Sequence, residues 1–230
     1  MGVRNALAAV AGRMEDVIRR PDRVLEGISE GPGAGRRLTS LLLVVVATSL
    51  PFGMATGAYV GGRQVWITGL KLPALLLSTL ALCAPALVLA APVLGGRLAP
   101  RRALGIALLS VAATSVCLGS LSPVVLVFSR TLRLWNHTHY VFLVLLLTLA
   151  TSLAGAVSVG YLWRALGRSG VRERRLRIVV AWLLLYQFVG AQMAWILRPF
   201  VGSSSDTIRF EGNIYEALPM LVRAFFRGLL

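Results

Sequence analysis

The stretch Thr138–Trp163, THYVFLVLLLTLATSLAGAVSVGYLW, decides the fold. It holds no Asp, Glu, Lys or Arg, and it is long enough to cross the roughly 30 Å hydrocarbon core of a bilayer at about 1.5 Å per residue. Four more segments read the same way: Leu38–Tyr59, Leu72–Gly95, Ala103–Phe128 and Ile178–Leu197. None alternates with the period of a barrel strand. Backbone groups in lipid must be satisfied within the segment, so each is expected to be a helix. The expected fold class is all-α: a polytopic integral membrane bundle of five transmembrane helices with amphipathic amino- and carboxyl-terminal helices. Three zones follow: a cytoplasmic amphipathic arm (1–37), the five-helix transmembrane domain (38–198) and an extracytoplasmic amphipathic tail (199–230).

Composition agrees. The chain is 57% hydrophobic and only 14% charged, whereas a soluble domain is about a quarter charged. The net charge of +15 does not imply a nucleic-acid partner, because basic residues gathered at span ends are what membrane topology requires. Five spans place 16 Lys and Arg on the side of the amino terminus and 8 on the other. That bias puts the amino terminus in the cytoplasm and the carboxyl terminus outside.

Both ends carry helical periodicity. In the arm, Met14, Val17, Ile18, Pro21, Val24, Leu25 and Ile28 share a face, with Glu15, Asp16, Arg19, Arg20, Asp22, Arg23 and Glu26 opposite. Pro21 suits a first helical turn, so two short helices are expected to meet there. The arm either lies in the membrane interface or docks on the bundle. Gly31–Gly35, GPGAG, reads as a flexible joint into the first span. In the tail, Ile214, Leu218, Leu221, Val222, Phe225 and Phe226 form a stripe, and Asn213 and Glu216 have capping-box spacing. The amino-terminal residues lack both the apolar core of a signal peptide and the hydroxyl of a myristoylation motif.

Sites of chemistry are scarce. No HExxH occurs. The two histidines, His137 and His139, point about 200° apart on a helix and have no acid beside them; with Trp135 and Tyr140 they read as interface anchors. Cys83 and Cys117 sit in apolar runs and read as small buried hydrophobes, with an inter-helix disulfide as the alternative. No residue is assigned to catalysis, to a metal or to a cofactor.

The remaining candidates are structural or functional. Pro51, Pro85 and Pro123 lie inside the first three spans, two of them among hydroxyl residues that can satisfy the carbonyls proline frees. Broken helices also build transport sites, but these spans carry no internal charge, so kinked packing is the expectation. Small residues at fourth positions, Ser152, Ala156 and Gly160 in span four and Gly190 and Ala194 in span five, allow close helix approach, within one chain or in a homo-oligomer. In span five, Gln187 and Gln192 are about 140° apart. Each can hydrogen-bond a neighbouring helix, and Gln192 is expected to do so. Arg198, before the helix-stopping Pro199, is expected to pair with Asp206, Glu211 or Glu216 of the tail.

RRPDRVLEGISE (Arg19–Glu30), GLKLPALLLSTLALCAPALVL (Gly69–Leu89), GAQMAWILRPFVG (Gly190–Gly202) and FEGNIYEAL (Phe210–Leu218), together with five spans, resemble bacterial Yip1-domain-like membrane proteins of an uncharacterised branch. The resemblance implies a non-enzymatic protein that organises membrane or scaffolds partners through its cytoplasmic arm. Eukaryotic members are implied to act with Rab-type GTPases, but their DLYGP-type motif is absent here, so GTPase binding is not carried over. The alternative is a channel or transporter subunit with a pathway along the proline-kinked first three spans. The expected partners are the lipid bilayer, proteins held by the arm and a second copy of the chain.

Overall fold

The computed structural model describes residues 3–29, 33–93, 99–132, 137–168 and 175–197. Within them every regular element is a helix. The amino-terminal arm forms α1 (Val3–Arg19) and α2 (Pro21–Ser29). The bundle follows as α3 (Ala34–Gly57), α4 (Arg63–Val93), α5 (Pro100–Thr131), α6 (His137–Gly167) and α7 (Arg175–Ile196). Helices α3 to α7 are each long and apolar enough to cross a membrane. The protein is therefore an all-α integral membrane bundle with five transmembrane helices. The expected tail helix and Arg198 lie outside the described residues.

Prolines and glycines punctuate the chain where their backbone chemistry predicts. Pro21 opens α2, and Pro100 opens α5 behind an extended Ala99. A ring that fixes φ and lacks an N–H costs nothing in a first turn. Gly33 precedes α3 with φ 100°, a left-handed conformation open to glycine. The α3–α4 connection is a tight hairpin. Gly61 N–H donates to the Gly57 carbonyl at 3.0 Å, and Gly61 and Gly62 both have positive φ, 83° and 56°.

That hairpin brings two backbones together. A Cβ at Gly53 would stand 2.6 Å from the Thr68 carbonyl oxygen, and one at Gly57 2.6 Å from that of Gln64. Such approach is how helices associate in lipid, where no hydrophobic drive exists between them. On its other side α3 meets α5, where a Cβ at Gly119 would lie 2.7 Å from the Thr48 carbonyl. Thr48 Oγ1 donates to Ser115 Oγ across this seam at 2.9 Å. Helix α6 then packs on α5, and α7 on α4.

The arm is docked. Val17, Leu25 and Ile28 are buried in one cluster with Leu41 and Val45 of α3 and Ile106 of α5. Ile28 fits the notch at Gly105, whose added Cβ would come within 3.1 Å of Ile28 Cγ2. Of the two placements open to the arm, docking on the bundle takes Val17, Leu25 and Ile28 of its apolar face and leaves Ile18 exposed.

Candidate functional site

Helix α4 begins at Arg63, nine residues before the expected start at Leu72. The residues in between include four polar ones: Arg63, Gln64, Thr68 and Lys71. The helix therefore carries a charged side chain eight residues from its start, although the span as bounded from Leu72 carries none. Lys71 lies eight residues into the helix, about 12 Å along it, and is only 5% exposed. Gln64, Thr68, Lys71 and Thr79 are spaced close to multiples of the helical repeat, and all four are buried. They form one polar face on α4, inside the protein and not toward lipid. Thr56 of α3 and Tyr59 of the turn after it are also buried at this end of the bundle. The Nε2 of Gln64 and the Oγ1 of Thr79 are buried without a hydrogen-bond partner. A cation buried in a helix long enough to cross a membrane is a candidate functional residue, because charge is costly to enclose.

The second concentration of polar chemistry is at the arm end. Asp22 of α2 forms an ion pair with Arg168 in the turn that follows α6. Tyr161 Oη donates to the Ile18 carbonyl at 3.3 Å. Arg102 Nη2 donates to the Arg168 carbonyl at 3.5 Å. The Arg175 guanidinium lies 3.6 Å from the Trp163 ring centroid, a cation–π contact between α6 and α7. The arm, the start of α5, the end of α6 and the start of α7 thus share one arginine-rich end. The outward face of the arm carries Glu15, Arg19, Arg20, Arg23 and Glu26, all exposed.

The residues singled out in the sequence do not converge. Pro51, Pro85 and Pro123 are exposed on three different helices. Their rings face outward, away from the α3–α4–α5 seams. Ser122 Oγ donates to the Gly119 carbonyl, the one Pro123 frees, at 2.7 Å. Near Pro51 the hydroxyls turn elsewhere: Thr48 to the Val44 carbonyl and Ser49 to that of Val45. Gln187 is exposed and Gln192 half-buried, as their angular separation requires. Cys83 and Cys117 are free thiols on α4 and α5. His137 starts α6, so the histidine pair sits on helical backbone.

Sequence reasoning missed the Lys71 face and the Gly53–Gly57 contact. Both left a signal: polar residues at positions 64, 68 and 71, and GMATG at positions 53–57. Comparison with protein-family models, with curated proteins and with solved structures gives no match.

Proposed function

We propose that this is a non-enzymatic membrane protein, Yip1-like in organisation, that scaffolds partners or organises membrane through its amino-terminal arm. The observation that carries the reading is the docked arm. Its apolar residues Val17, Leu25 and Ile28 are consumed by the bundle, so its charged face is left outward at the end of five spans. A charged, helical surface fixed to a membrane anchor suits recognition better than chemistry. The positive-inside bias puts that surface in the cytoplasm.

Charge reversal of the exposed arm residues Arg20 and Arg23 to Glu tests it. Cross-linking pull-downs from native membranes should lose specific partners while the bundle unfolds at the wild-type temperature. An unchanged set of captured proteins would sink the scaffold reading. Sidedness has its own check. Cysteines at Gly12 and at Arg63, both exposed, should label from opposite faces of the membrane, Gly12→Cys from the cytoplasmic one.

Lys71 favours a second reading, a channel or transporter subunit. Its pathway would run along the buried polar face of α4, not along the outward-facing prolines. An enclosed cation selects anions. Anion flux into reconstituted vesicles, abolished by Lys71→Met in a protein that still folds, would put transport ahead of scaffolding.

A further inference from the structure

A cleft of about 200 Å³ opens where the arm meets α5 and α6. Its walls combine Arg19 of α1, Asp22 of α2, Tyr161 and Arg164 of α6 and Arg168 of the turn that follows α6, over an apolar floor that includes Leu109 of α5. The sequence dictates this convergence. Tyr161 and Arg164 follow helical i, i+3 spacing, so one face of α6 delivers a phenol and a guanidinium, and the turn after the helix adds Arg168. The elbow at Pro21 then brings Arg19 and Asp22 over the same place.

Charge within the cleft is unbalanced. Three arginines line it against one carboxylate, and that carboxylate, Asp22, is held by Arg168. Arg19 has only a solvent-exposed contact to Glu15 at 3.6 Å, a weak pair that a better anion displaces. Guanidinium forks match phosphate oxygens with paired, charge-assisted hydrogen bonds.

The position of the cleft says which phosphate. Continuing from Tyr161 along the same face of α6 lead Val157 and Leu153, both exposed apolar residues on a membrane-spanning helix. The face therefore runs from an apolar track at bilayer depth to an arginine cluster at the helix end. A phospholipid has that order of chemistry, acyl chain then phosphate.

We propose that this cleft is a binding site for an anionic phospholipid, its phosphate held by Arg19 and Arg164 and an acyl chain laid along Val157 and Leu153. Bound there, the lipid bridges α1 and α6, which the Tyr161–Ile18 hydrogen bond also joins, beside the Asp22–Arg168 pair that ties α2 to the turn after α6. The inference rests on the membrane-spanning fold and on neither functional reading above.

The test uses the full chain purified in detergent and titrated with phosphatidylglycerol, with phosphatidylcholine, or with inorganic phosphate. Retained lipid is read by native mass spectrometry and thermal unfolding is followed alongside. Phosphatidylglycerol should be retained and should raise the melting temperature, and the other two should not. Arg164→Gln should weaken retention by about tenfold or more, the factor for one charge-assisted hydrogen bond, and the double variant Arg19→Gln/Arg164→Gln should weaken it further. Arg101→Gln, an exposed arginine outside the cleft, should behave as wild type. Asp22 and Arg168 stay intact in every variant, so the arm keeps its anchor. Equal loss with Arg101→Gln would reduce the effect to surface attraction and overturn the site. So would unchanged retention in the double variant, or a response to inorganic phosphate without one to phosphatidylglycerol.

Discussion

A Cβ added at Gly57 of α3 would sit 2.6 Å from a backbone oxygen of α4, whereas one at Gly160 of α6 would meet nothing within 4 Å. Both glycines belong to small-residue patterns at fourth positions, yet one closes a helix seam and the other faces outward. The contrast extends to whole helices. The most apolar windows of α3 and α4 are 44% buried, and those of α6 and α7 only 17%. The molecule thus has a locked half, made of α3, α4, α5 and the arm, and a peripheral half, α6 and α7, applied to its flanks. A small-residue motif grants permission for close approach. Which face meets a neighbour decides whether the permission is used. Gly53 and Gly57 lie on the face of α3 that the turn at Gly61–Gly62 lays against α4, whereas Gly160 lies on an exposed face of α6.

The largest expected effect lies in the locked half. Ile28→Ala removes a side chain that is 1% exposed and seated against Gly105. Truncation of a buried Ile costs about 2–5 kcal/mol. Proteolysis of the arm should accelerate and the melting temperature of the bundle should fall. An arm that stays protected would mean that the ion pair and Tyr161, not apolar docking, hold it.

Gly57→Val is next. The added atoms collide with backbone rather than with a flexible side chain, so relief requires α3 and α4 to separate. Overpacking of this kind costs about 1–3 kcal/mol, measurable as a lowered denaturant midpoint in detergent. The same change should disturb the polar face of α4 beside it, because Gln64 supplies the contacted carbonyl.

Ser115→Ala probes the α3–α5 seam more gently. It deletes the acceptor of the 2.9 Å bond from Thr48. Interhelical hydrogen bonds in membranes are worth about 0.6 kcal/mol and at most about 1.7. The single Thr48 hydroxyl proton is also within reach of the Val44 carbonyl at 2.8 Å, which accepts it when Ser115 Oγ is gone, so the loss should fall at the low end. A loss beyond that range would point to a seam held by polar contacts more than by packing.

This asymmetry explains what was legible beforehand. The five spans could be read from apolar length alone, because a bilayer imposes its thickness on each segment independently. The arm's two helices were legible from the amphipathic stripe and Pro21. The start of α4 was not. Hydropathy treats Gln64, Thr68 and Lys71 as a polar loop, while in the fold they are helical and buried together. Only the hairpin, which folds α3 back onto them, makes that burial possible. The same reasoning applies to Ser152, Ala156 and Gly160, whose spacing is right and whose face meets no neighbour among the described residues. Sequence gives each helix its faces, and which face meets which is a property of all the helices at once. Lys71 is the clearest cost of reading spans singly, since counting it as a loop residue left a buried helical cation out of the case for transport.

Gly160→Leu should be the smallest change, and it sharpens the contrast most. In the isolated chain the added side chain enters open space, and substitutions away from packing features stay within about 0.5 kcal/mol. The glycine-to-leucine change also favours helix, by somewhat under about 1 kcal/mol. The melting temperature should therefore hold or rise slightly. Ser152 and Ala156 share this outward face, so the variant also reports on the face as a whole. If it is lipid-exposed, sedimentation in detergent will be the same for wild type and Gly160→Leu. If a second copy uses it, the leucine will block close approach and dissociate the oligomer while each chain stays folded. A marked loss of monomer stability would break the comparison itself, because α6 would then be packed on this face as tightly as α3 is on α4.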